Sequence, residues 1–88
     1  MANIKSAEKR WRQSIVRRTR NRSRLARLRT SIKGVRAAVA AADASKAEEL
    51  LPSTLSLIDR TSTKGAIHPN TAARYKSRLV RLVRELGA

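Results

Sequence analysis

The chain has 88 residues, 21 Lys plus Arg against 6 Asp plus Glu, a formal net charge of +15, one His and no Cys. That length holds one domain, which if compact would bury only roughly 64% of its unfolded surface. Disulfide scaffolds, Cys-ligated zinc and thiol chemistry are excluded and no apolar run nears the ~20 residues that span a bilayer, which leaves a small, basic, cytoplasmic chain with a polyanion as the expected partner.

Helical periodicity runs through the whole sequence. Leu25, Leu28, Ile32, Val35, Val39 and Ala42 alternate three and four apart, a narrow apolar seam of period 3.5. Stepped backward, the same register passes Asn21, Arg18, Ser14, Trp11, Ala7 and Ile4, so the spacing predicts one long helix over about residues 4–42. Gly34 is a local weakness in it. Asp43 or Ser45 can cap a second helix, expected over about 46–62, and Ser45-Lys46-Ala47-Glu48 fits a capping box. Its apolar side is Ala47, Leu50, Leu51, Leu55 and Ile58. Pro52 lacks a donor and crowds the Glu48 carbonyl, so a kink or a restart is expected there. Gly65 supplies a left-handed stop. Pro69 suits the first position of a third helix, with Ala72, Tyr75, Leu79, Leu82 and Leu86 along one side.

Short connections force antiparallel neighbours. The expected fold is all-α: a three-helix, up-down-up bundle with a long, basic N-terminal helix projecting beyond it. Residues 1–24 would form the basic extension and residues 25–88 the bundle, together one nucleic-acid-binding domain. The loop at Lys64–Asn70 should return to the level of residues 17–25.

Charge is concentrated at the start. Residues 1–36 hold thirteen basic residues and one acid, Glu8, and Arg outnumbers Lys in the chain fifteen to six. Arg presents a planar fork suited to bidentate phosphate contact. The densest run is Arg17-Arg18-Thr19-Arg20-Asn21-Arg22-Ser23-Arg24. On a helix these Arg residues fall at roughly 100° steps and point in every direction, so they cannot form a single solvated face and suit insertion between phosphate backbones. The candidate binding set on the first helix is Lys5, Lys9, Arg10, Arg12, Arg17, Arg18, Arg20, Asn21, Arg22, Arg24 and Arg27. On and before the third helix it is His68, Asn70, Arg74, Lys76 and Arg78, where amides near the helix start could also meet a phosphate.

Other chemistries find no support. The adjacent Glu48 and Glu49 diverge by ~100° on a helix and cannot flank one substrate. A single His without Cys makes no metal site. No catalytic, metal or cofactor-binding residue is expected. Trp11 is expected to cap the free end of the apolar seam, with base stacking as the other possibility, and Tyr75 to join the core. An architectural, nucleoid DNA-binding protein is the alternative reading, although the chain lacks the apolar wedge or β-ribbon of minor-groove benders. A membrane-active helix would need an apolar face within residues 17–24, which have none.

The chain resembles the bacterial small-subunit ribosomal protein twenty family. The matching pieces are Ala2-Asn3-Ile4-Lys5-Ser6-Ala7, Arg17-Arg18 with Asn21, and Lys64-Gly65-Ala66-Ile67-His68-Pro69-Asn70 followed by Ala72-Ala73-Arg74 and Lys76-Ser77. The similarity covers nearly the whole length. It implies a three-helix bundle that binds 16S ribosomal RNA directly, at the 5′ domain and the long penultimate helix, and joins early in assembly. Trp11, bulkier than expected in that family, and Pro52 are departures. The expected partner is therefore ribosomal RNA, bound by a monomer within the small ribosomal subunit, with no cofactor, membrane or small-molecule substrate.

Overall fold

The computed structural model describes residues 2–87, with side chains from Ile4 onward; Met1 and Ala88, the outer ends of the two expected segments, lie outside the described residues. Three helices follow in order: α1 (Ala2–Ala40), α2 (Ala44–Thr63) and α3 (Pro69–Gly87). At 1.5 Å per residue α1 is ~58 Å long, twice the length of either partner. The molecule measures 65 × 20 × 15 Å, with a radius of gyration of 17.6 Å; a compact chain of this length would have about 12 Å. It exposes 6843 Å², against roughly 5,200 Å² for a compact monomer of its mass.

The core explains this shape. Leu28, Val35 and Ala38 of α1 meet Ala47 and Ile58 of α2 and Ala72, Leu79 and Val83 of α3. Ile32, Val39, Leu50, Leu51, Leu55 and Tyr75 are half-buried around them. Every residue from Ile4 to Arg20 is exposed, and Leu28 is the first fully buried position. α1 packs chiefly on α2 and less on α3. The order of grooves shows the up-down-up course. The end of α2 (Leu57–Lys64) lies beside Arg24 and Arg27, while its start (Glu48, Leu51) lies beside Val80 and Gly87 at the end of α3.

Two helix stops set the connections. The Asp43 amide donates to the Ala38 carbonyl (2.9 Å) and the Ala42 amide to that of Val39 (3.0 Å). Ala66 and Gly65 repeat the pattern onto Thr61 (3.1 Å) and Ser62 (2.9 Å). Both are Schellman stops, with the left-handed position filled by Ala42 (φ 57°) and Gly65 (φ 81°). The expected extension of the first helix to Ala42 is thereby corrected. The helix ends at Ala40 and Ala42 lies exposed in the turn, because Asp43 already begins the next element. Asp43, not Ser45, caps α2: its Oδ1 accepts from the Lys46 amide at 3.1 Å.

α2 differs from expectation in two further ways. It runs unbroken through Pro52, with no restart. Pro52 and Glu48 are both on the exposed side, so water can serve the freed carbonyl while a buried row on the other side continues past Pro52. That row is Ala47, Thr54, Ile58 and Thr61, and the sequence reading had omitted both threonines. Each hydroxyl is satisfied within its own helix, Thr54 donating to the Leu50 carbonyl (3.0 Å) and Thr61 to that of Leu57 (2.7 Å). Only the methyl then faces the core. Among the described residues no buried side-chain polar atom lacks a partner.

Candidate nucleic-acid interface

The long helix sorts its basic residues into an arm and a flanked segment. On the arm, Lys5, Lys9, Arg10, Arg12, Arg17, Arg18, Arg20 and Arg22 are all exposed. The one acid among them, Glu8, pairs loosely with Arg12 (3.7 Å). The arm is helical throughout, so its cations stand around a single helix with no described residue packed on any side. Asn21 and Arg24, at the root, are half-buried, and the Arg24 guanidinium donates to Asn21 Oδ1 at 3.1 Å.

Beyond the root, the basic residues of α1 border two grooves. Arg24 and Arg27 line one with Arg60 of α2 and Lys64 just past its end, over a floor of Leu57 and Thr61. Arg29, Lys33 and Arg36 line the other with Arg78 of α3, over Ile32, Tyr75 and Leu79. Each groove gathers four cations from two helices. Field lines from converging like charges are focused by low-dielectric walls, which raises the local attraction for polyanions. Of these eight cations only Arg24, Arg27 and Arg78 had been singled out from the sequence. The i, i+4, i+7 spacing of Arg29, Lys33 and Arg36 beside Ile32 was the available signal. For Arg60 and Lys64 the signal was the short return of the second helix, which brings its end level with Arg24.

The start of α3 contributes a different chemistry. His68 is exposed, and its Nδ1 accepts the Asn70 amide at 3.0 Å, so the imidazole caps the helix. The His68 carbonyl takes the Ala72 amide at 3.0 Å. Of the amides near the helix start, those of Asn70 and Ala72 are thus already satisfied within the chain. The Asn70 side chain, Arg74 and Arg78 remain exposed. Lys76 is half-buried and bound to Asp59 of α2 at 2.9 Å, which pins α3 to α2.

Trp11 overturns the expectation that it caps the seam. It is 67% exposed. Register does not matter there, because every residue from Ile4 to Arg20 is exposed. The neighbouring helices also end near Arg24, ~20 Å short of Trp11 at the helical rise. Tyr75 does pack on the core, half-buried in the wall of its groove. Among the described residues no group of His and carboxylates could hold a metal, and no helix is long and apolar enough to cross a membrane.

Comparison with known proteins bears on the same surface. A sequence model of the family described as ribosomal protein S20 matches residues 2–84. The chain is 49% identical over 87 residues to the small ribosomal subunit protein bS20 of Nitrosomonas europaea, covering 99% of this chain and 100% of that one. It is 51% identical over 87 residues to the protein of that name in Pseudoalteromonas atlantica, with the same coverage. For the Mycolicibacterium smegmatis protein of that name the figure is 50% over 86 residues, 98% of this chain and all of the relative.

Proposed function

Since the chain belongs to the ribosomal protein S20 family, we propose that it is a structural constituent of the small ribosomal subunit that binds 16S ribosomal RNA directly and bridges two RNA elements during assembly. The observation that carries this reading is the exposed arm, cationic on every side, continued by basic grooves on two sides of α1. A single basic face would serve one RNA surface, whereas this arrangement suits two. Most contacts would go to phosphate and ribose, because the major groove of an RNA helix is too deep and narrow for side chains to read. The bundle acts as the rigid handle that fixes the arm's direction. By resemblance, the two elements are in the 5′ domain and the penultimate helix.

Chemical footprinting of small-subunit RNA tests this. Reversing Arg17, Arg20 and Arg24 to Glu is expected to weaken protection at both RNA elements. Reversing Arg74 and Arg78 is expected to weaken only the one beside α3. Loss of one contiguous footprint in the arm variant, with every other retained, would mean a one-sided binder.

A further inference from the structure

Among the described residues the large apolar side chains that stand exposed are all on the arm: Ile4 (60%), Trp11 (67%), Ile15 (40%) and Val16 (45%). Ile4, Trp11 and Ile15 are spaced seven and four apart, which puts them on one side of the helix. Among the described residues nothing covers them, since the bundle ends near Arg24. A stripe of this kind needs an occupant, and its surroundings define the occupant's chemistry. Arg10 and Arg12 flank Trp11 in sequence, and Arg18 follows two turns along the same side. Glu8, the single acid nearby, is already turned toward Arg12. An apolar protein surface would have to come with its own dense negative charge. Phosphates alone have no use for an indole. A nucleotide outside a duplex offers both, a planar apolar face and an adjacent phosphate. A base within an intact duplex has both faces covered by its neighbours.

We propose that Trp11 is a base-stacking residue, its indole lying on an unpaired nucleobase of the bound RNA while neighbouring Arg side chains hold the flanking phosphates. The proposal rests on the RNA-binding reading above and adds a recognition element to it. Charge attracts any polyanion to the arm; the indole selects RNA that presents an extruded base at a fixed distance from the bundle. The arm would thereby be set in register along the RNA, which phosphate contacts alone do not do.

Trp11 is the only tryptophan in the chain, so its emission reports this contact directly. The full-length protein would be titrated with 16S ribosomal RNA and, separately, with a fully paired RNA duplex at the same salt concentration, with filter retention recording binding independently. With 16S RNA the indole is expected to be quenched and shielded from acrylamide. The duplex should be retained through charge yet leave the indole open. Trp11→Ala should lower affinity for 16S RNA by roughly 5- to 150-fold, the range of one base–aromatic stack. Trp11→Phe should recover most of it. Neither variant should change the salt slope, since a stacked base releases no counterion, nor the thermal midpoint, since Trp11 lies outside the core. Retention of wild-type protein on 16S RNA with the indole still open, or wild-type affinity of Trp11→Ala, would overturn the proposal alone. Shielding that appears only when other subunit proteins are added would overturn it in favour of a protein contact. No retention of the wild-type protein would overturn the RNA-binding reading and this one with it.

Discussion

Ala42 and Gly65 occupy equivalent places in two successive helix stops, and only one of them is a glycine. A left-handed alanine costs roughly 1–2 kcal/mol through the clash of its Cβ with the following carbonyl oxygen. Ala42→Gly is therefore expected to stabilise the protein by about 1 kcal/mol. Gly65→Ala should destabilise it by a similar amount through the backbone alone, because nothing lies within 4 Å of the added Cβ. Urea unfolding of both variants measures the pair of effects, and opposite signs are the expected result. His68 raises a second question of residue role. Its imidazole caps α3, so His68→Ala should cost on the order of 1 kcal/mol of stability. Asp is a stronger cap, so His68→Asp should keep the fold while placing negative charge where RNA is expected. A variant that folds like wild type and binds RNA less tightly would separate capping from contact.

At the scale of the element, α1 is two structures in one helix. From Leu28 onward it is held by apolar burial; from Ile4 to Arg20 it is held by its own backbone hydrogen bonds against repulsion among its cations. Hydrogen exchange should show this division, with fast exchange over residues 5–20 and slow exchange over 28–40, because local opening is cheapest where no tertiary contact is lost. Uniform protection along α1 would contradict it. Gly34 lies in the held segment, and a Cβ there would meet nothing within 4 Å. Gly34→Ala should accordingly stabilise by up to ~1 kcal/mol. Core truncation goes the other way. Leu28 and Leu79 are 2% and 1% exposed, so each change to Ala should cost roughly 2–5 kcal/mol. Val39, only half-buried, should cost less. The two buried threonines of α2 follow a different rule, since their methyls pack while their hydroxyls return to their own helix.

For the whole molecule, the arrangement of charge matters more than its amount. On the proposed RNA-binding reading, an arm free on all sides and two grooves of four cations each would make binding a counterion-release process. Each neutralised phosphate contributes a log–log slope of about −0.7 to −0.9, and six to ten contacts imply a loss of roughly 10³–10⁵ in affinity between 50 and 200 mM salt. Filter binding across that range measures the slope. A value shallower than about −3 would leave most of the basic surface without a phosphate. Reversing Arg29, Lys33 and Arg36 together should flatten the slope while sparing the arm's contacts, which tests whether the α1–α3 groove takes part.

Local patterns in the chain were enough for the three helices, the seam through Leu28 and Val35, the left-handed stop at Gly65, the proline start of α3 and the concentration of positive charge on the first helix. Each depends on interactions within a few residues or on the sum of charge, and such quantities can be read along a line. Four features were decided only by tertiary structure. Trp11 stayed exposed because α2 and α3 end near Arg24 and leave every side of the arm uncovered. Pro52 stayed inside α2 with its own position and Glu48 on the exposed side, while the buried row from Ala47 to Thr61 runs past it on the other. Thr54 and Thr61 entered the core because α1 and α3 cover that side of α2, their hydroxyls being satisfied one turn back in their own helix. The grooves formed because α2 and α3 brought Arg60, Lys64 and Arg78 beside cations of α1 that are distant in sequence. In each case the outcome depended on what another segment did, and that information exists only once the helices have packed.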